Sequence, residues 1–239
     1  MKKNKTKTMG LMALLIGTMS IGGIMAYFTD GDTATNTFTV GKISIDLQEP
    51  EWVPPTEIVP QQEFKKDPQI KNDGLNDAFV FLKVTVPYDN VVTANEDGSK
   101  NDAKDTELFT YDVKEGWTEL VSKQVKDSNA KTITHLYAYT GGQPSTMESL
   151  AVNASTPKLF DYVRFANIVE DQQIEAATLN IVVDAFAIQT TNLNDGKTTF
   201  DGDNSDGTVT PMEVWSILEK QSPSLEVSVN EEIHTDIKK

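Results

Sequence analysis

His135 and His234 are the only imidazoles in the chain, and there is no cysteine. A zinc peptidase of the His-Glu-x-x-His type sets two imidazoles on one helix face with a carboxylate base between them. Here His135 is followed by Leu136 and His234 by Thr235, 99 residues apart, so neither has a partner at helical spacing. His135 sits in a β-branched, aromatic run and reads as a half-buried cross-strand residue; His234 reads as solvated. No Gly-x-Ser-x-Gly elbow and no Gly-x-x-x-x-Gly-Lys cradle occurs, so nucleophilic serine chemistry and phosphate cradling have no local signature. Lack of cysteine excludes a thiolate metal centre, a cysteine nucleophile and a disulfide scaffold. Paired carboxylates for glycosidic work cannot be read from a sequence in which acids are this abundant.

Calcium is the one metal with a pattern. Asp201, Asp203, Ser205, Asp206 and Gly207, with Glu213 beyond, approach an EF-hand loop. That loop alternates hard oxygen ligands, turns at a glycine and closes on a glutamate. The glycine and glutamate each stand one residue late, as a single insertion would place them. The expected ligands are therefore Asp201, Asp203, Ser205, Asp206 and Glu213, against the plain alternative of a solvated acidic loop. A weaker set is Asn95, Asp97, Asn101, Asp102 and Asp105. No cofactor is otherwise required. Trp52, Trp117 and Trp215 read as packing residues, with a sugar-stacking platform as the alternative.

The elements that would position these groups are mostly strands. Ile43, Ile45 and Leu47 alternate with polar residues, as on a half-buried strand. Val80, Leu82, Val84 and Val86 do the same until Pro87, which is expected to end the run. Thr132 to Tyr139 is β-branched and aromatic, Leu179 to Gln189 is apolar on both faces like a central strand, and Trp117 to Val125 is a fifth candidate. One helix is signalled. Thr210 caps, Pro211 takes the first position, and Glu213 completes a capping box. Met212, Trp215, Ile217 and Leu218 form its apolar stripe, and Pro223 stops it. Glu49 to Pro60, Thr93 to Asp105 and Asn192 to Thr210 read as loops. The tail from Ser224 is open between a last strand and disorder. Short strands spaced by Asn, Asp, Gly and Pro predict a mainly β fold, a jelly-roll-like β-sandwich with one short helix near the C-terminus.

The 239 residues carry 36 acids and 21 bases, a net charge of −15, and Arg164 is the sole arginine. A surface that tracks nucleic acid needs clustered cations, so nucleic acid is excluded as a partner. Four of the lysines, Lys2, Lys3, Lys5 and Lys7, precede an apolar, glycine-interrupted run from Met9 to Ala26. This is the pattern of a secretory signal peptide cleaved between Ala26 and Tyr27, with an uncleaved anchor as the alternative. Contact with the membrane is then transient and mediated by the leader. The expected organisation is 1–26 leader, 27–222 β-sandwich and 223–239 polar tail. No LPxTG-like signal stands in Glu231 to Lys239, so no covalent tether is expected.

The segments Ala26-Tyr27-Phe28-Thr29-Asp30 and Asn36-Thr37-Phe38-Thr39-Val40-Gly41-Lys42-Ile43 resemble the exported TasA/camelysin (CalY) family. So do Lys66-Asp67-Pro68, Lys71-Asn72-Asp73-Gly74, Ala78-Phe79-Val80, Pro157-Lys158-Leu159-Phe160-Asp161 and Val183-Asp184-Ala185-Phe186-Ala187-Ile188-Gln189, followed by a helix bearing Trp215. The resemblance implies export through the dedicated signal peptidase SipW and a jelly-roll sandwich. It also implies a secreted structural role in the biofilm matrix or at the cell surface, as fibres in which each subunit's N-terminal strand completes its neighbour's sheet. Partners would be other copies of the chain and further matrix proteins. Carried over, the donor segment runs from Tyr27 to about Val40, with Tyr27, Phe28, Phe38 and Val40 as anchors. The same segment as a first strand of its own domain is the alternative. Camelysins also bear a metallo-endopeptidase label, for which the sequence shows no zinc motif. A calcium-steadied adhesin is the third reading.

Overall fold

The computed structural model describes residues 43–55, 58–170, 172, 174, 179–191, 209–221 and 226–228, all within the unit Val40–Lys239. The leader, the cleavage pair Ala26 and Tyr27, the anchors Tyr27, Phe28, Phe38 and Val40, and Asp201, Asp203, Ser205 and Asp206 lie outside the described residues.

In chain order the strands are β1 (Ile45–Gln48), β2 (Glu63–Lys65), β3 (Gln69–Asn72), β4 (Ala78–Val91), β5 (Lys104–Glu107), β6 (Phe109–Thr110), β7 (Trp117–Glu119), β8 (Val125–Asp127), β9 (Thr132–Tyr139), β10 (Tyr162–Phe165), β11 (Val182–Gln189) and β12 (Glu226–Ser228). A 3-10 turn, Val121–Lys123, separates β7 from β8, and helix α1 (Pro211–Gln221) lies between β11 and β12. All the ladders are antiparallel. The largest sheet runs β12-β11-β4-β9-β7, with β5 added to β4 and β8 to β9. A second runs β2-β10-β6, and β1 pairs with β3. The mainly β expectation is borne out, and among the described residues the one α-helix lies where the capping box put it.

The central strands of the large sheet bury both faces, which their sequences require. Val80, Leu82, Val84 and Val86 of β4, Tyr137 of β9 and Val183, Ala185 and Ala187 of β11 join a core that also holds Ile45, Leu47, Phe64, Ile70, Phe109, Val163 and Phe165 from the other two sheets. The opposite face presents Phe79, Phe81, Leu136, Ala138, Phe186 and Ile188, which α1 covers with Val214 and Leu218. Trp215 lies edge-on to Phe81 at 5.2 Å and to Phe186 at 5.4 Å between ring centroids. Pairs of this kind add about 0.5–1.5 kcal/mol each beyond area burial. The tryptophans are packing residues, as the sequence suggested: Trp117 is buried in the first core, and Trp52 packs against it.

Three expectations need correction. Pro87 does not end its strand, because β4 continues to Val91. On the β9 flank Pro87 stays in register with Thr132, but its carbonyl accepts the Leu108 N–H on the opposite flank, where the register with β11 stops at Thr85 and that with β5 starts at Tyr88, so the missing N–H falls in the gap between those two partners. Trp117 to Val125 is not one strand but two short ones, split by the 3-10 turn. Thr93 to Asp105 is not all loop, since β5 begins at Lys104 and Thr93 bridges Ile168. The tail does pair: β12 lies against Asp184–Phe186 of β11.

Candidate functional site

In sequence β1 begins five residues after Val40, the end of the expected donor segment. It turns Ile45 and Leu47 into the core and leaves Asp46 exposed. One side pairs with β3, from Ile45↔Asn72 to Gln48↔Gln69. Its other side takes no ladder partner among the described residues. The far flank of the large sheet is built differently. β7 and β8 both lie on β9, but the turn between them breaks the run and exposes Val121, and all three β8 side chains are exposed. An interrupted, charged edge of this kind discourages strand addition.

Behind β1 the chain that leaves it is locked by buried charge. Lys66, 1% exposed, sets its Nζ 2.8 Å from both carboxylate oxygens of Glu49. It lies 4.7 Å from the centroid of the Trp52 ring. Asp67, also 1% exposed, accepts the Glu51 N–H at 3.0 Å and lies 3.1 Å from Lys158 Nζ. Glu51 in turn accepts from Lys65 at 2.8 Å and Lys158 at 2.9 Å. These two lysines hold the Glu51 carboxyl down at about 2, and Glu51 with Asp67 pushes Lys158 up to about 12. Asn72, fully buried, donates to the carbonyls of Asn76 and Leu150, both at 2.9 Å, and accepts the Gly74 N–H at 3.0 Å. The Lys66-Asp67, Asn72-Asp73-Gly74 and Lys158 pieces, read in the sequence only as a family-like order, therefore form the seating of β1 and β3.

A second buried basic side chain sits between β5, β7 and β9. His135 is 8% exposed. Its Nδ1 lies 2.8 Å from Glu119 Oε1 and its Nε2 3.2 Å from Glu107 Oε2. Gln124 Nε2 stands 3.3 Å from the same Nδ1. Burial alone would lower the imidazole, but the two carboxylates outweigh it and raise it above its ordinary value. Tyr137 stacks beside the ring, Tyr111 meets it edge-on, and the two phenols share a hydrogen bond of 2.9 Å. Burial pushes both phenols far up, so they stay neutral. Sequence reasoning placed His135 on a strand but missed both carboxylates, and no local spacing could have found them.

Glu213, the one expected calcium ligand within the described residues, closes the cap of α1. Its Oε2 accepts from the Thr210 N–H at 3.0 Å and the Thr210 hydroxyl at 2.6 Å. The weaker acidic set is divided: Asp97 Oδ1 accepts from Ser99 N and Oγ and Asn101 Nδ2 donates to Asn95 within one turn, while Asp105 lies on β5 and accepts from Lys126 and Asn90.

Residues 2–107, somewhat less than half of the chain, match the family model described as camelysin metallo-endopeptidase. The resemblance drawn from the sequence is borne out over that span; the pieces from Pro157 onward fall beyond it. No curated protein matches the chain. Among solved structures, a DUF4466 family protein from Parabacteroides merdae overlaps with a TM-score of 0.21 at 9% identity, over 74% of this chain and 58% of its own. That likeness carries no argument. No helix among the described residues is long and apolar enough to cross a membrane.

The family description implies a metal, and the described residues do not fit one. The two carboxylates at His135 face opposite ring nitrogens, so they flank the imidazole instead of converging with it on a point. No cluster of three or more His, Asp or Glu among the described residues is placed to hold an ion.

Proposed function

With residues 2–107 carrying the camelysin family's pattern, we propose that the chain is a secreted structural protein of the extracellular matrix or cell surface. It assembles into fibres by adding the N-terminal segment Tyr27 to Val40 of one copy to a sheet of the next, on a jelly-roll-like sandwich. The observation that carries this reading is the contrast of edges. β1 has an alternating inward face and one described ladder side, whereas the β7–β8 flank is interrupted and charged. An available edge offers N–H and C=O groups to an added strand, and alternate side chains fill pockets. Head-to-tail contacts that do not close give filaments.

Removing 1–26 takes away four lysines and leaves 36 acids against 17 bases, net −19. Such subunits repel one another, and protonating carboxylates near pH 4 lowers that barrier. Electron microscopy of chain 27–239 is expected to show filaments, more abundant at pH 4, while chain 41–239 stays monomeric. A 27–239 chain that stays monomeric across pH and added calcium would end this reading. Calcium in the 201–213 loop steadies the fold in the adhesin variant of the proposal. Calorimetry with Asp201→Ala and Asp203→Ala, compared with the parent chain, tests it.

A further inference from the structure

An imidazole with a single N–H can serve one carboxylate as donor; its second nitrogen then turns a lone pair outward. At His135 each nitrogen meets a different carboxylate, Glu119 at 2.8 Å and Glu107 at 3.2 Å. Only the doubly protonated ring satisfies both. The neutral ring has a replacement at hand, because Gln124 Nε2, 3.3 Å from Nδ1, can donate to it. Glu107 would then keep the remaining N–H on Nε2, and Glu119 would lose its donor.

We propose that His135 is a proton-controlled clasp on the β7 edge. As imidazolium it ties Glu119 of β7 and Glu107 of β5 to β9, and on losing its proton it exchanges Glu119 for Gln124 and loosens the Glu119 end of β7. The groups facing the ring are Glu107 from β5, Glu119 from β7, Gln124 from the approach to β8, Tyr111 from the segment after β6 and Tyr137 from β9. Across the ladder on β4 stands Val84, which carries no charge. The two tyrosines stay protonated, so the glutamates supply the field. Their side chains are 27% and 31% exposed, so the freed carboxylate reaches water without leaving the sheet. β7 is held to β9 by three register pairs, with the Leu120 N–H donating to Leu136 just beyond. The other end of β7 is anchored by buried Trp117, whose Nε1 donates to the Pro157 carbonyl at 3.0 Å, and by Thr118, whose hydroxyl meets that of Thr140 at 2.9 Å, so release of the glutamate loosens only the Glu119–Leu120 end.

The test is an NMR titration of the folded chain, with His234→Gln used to isolate the His135 ring signal. The midpoint is expected above the ordinary value of 6.5. Glu119→Gln should lower it, because the charged ring loses a partner. Gln124→Leu should raise it, because the neutral ring loses its replacement donor. Amide exchange at Leu120 should lose protection above the midpoint, beyond the intrinsic rise with pH, and keep it below. A midpoint at or below 6.5, a midpoint that ignores both substitutions, or Leu120 protection flat across it would each overturn the clasp. The titration of the parent chain decides the matter even where one variant does not fold.

Discussion

Lys66 and His135 do the same mechanical work at two places, each drawing separate segments onto the core through carboxylates. Lys66 holds the chain leaving β1; His135 holds β5 and β7 on β9. They differ in how far their partners can retreat. The Glu49 side chain is 9% exposed, whereas Glu107 and Glu119 keep 27% and 31% of theirs in water. They differ again in kind, since histidine is the side chain whose ordinary charge change falls between pH 5 and 8. The Lys66 pin is the more enclosed and the costlier to break; the His135 pin answers to pH.

The largest effect should therefore come from Lys66→Ala, which strands a buried carboxylate. A loss of about 3–5 kcal/mol is expected, read as a lower urea midpoint at unchanged slope. Lys66→Met combined with Glu49→Gln should recover most of it, since removing both charges of a buried pair is often close to neutral. A single variant costing no more than a surface ion pair would erase the distinction between the two pins.

His135→Gln should cost less, about 1–2 kcal/mol, and the loss should depend on pH. The folded imidazole is raised above its unfolded value of 6.5. Its contribution is thus fully present below 6.5 and disappears as pH rises through the folded midpoint. The parent and the variant should differ most at pH 6 and converge toward pH 9 in parallel urea titrations. A difference that stays constant across that range would make His135 a packing residue and dissolve the contrast with Lys66.

The contrast also separates what the sequence could show from what it could not. β4 was legible through its two-residue period from Val80 to Val86, β9 through a β-branched and aromatic run, β11 through an apolar run of strand length, and α1 because Thr210, Pro211 and Glu213 satisfy a cap in sequence order. β2, β6, β8 and β10 were not: each has two to four residues, and β2 buries only Phe64. One inward side chain makes no period. Pro87 misled because a ladder's demand for an N–H is local to a partner, and the partner changes there. The two pins depend on separations of 16 and 28 residues for His135 and 17 for Lys66 with Glu49. Only the folded register brings such groups together. What the sequence did carry of the Lys66 pin was a motif without a reason; the reason is a buried charge that must be answered.

The smallest expected effect comes from the cap of α1. Glu213 answers the Thr210 N–H and hydroxyl, while the Glu213 N–H lies 3.4 Å from Thr210 Oγ1. Thr210→Ala removes the side-chain half of this box and should cost about 1 kcal/mol. What Thr210→Ala removes is a hydroxyl that bonds a carboxylate and a backbone amide, and a hydroxyl does not titrate between pH 6 and 9, so the loss should be flat across that window. The effect should reach the second core only through α1, whose Val214 and Leu218 cover Phe81 and Phe186, and amide exchange should rise in the first turn of the helix before it rises in β11. Measured beside His135→Gln in the same buffers, the variant supplies the pH-independent baseline. If Thr210→Ala showed the same decline between pH 6 and 9, that decline would belong to the whole fold and not to the imidazole.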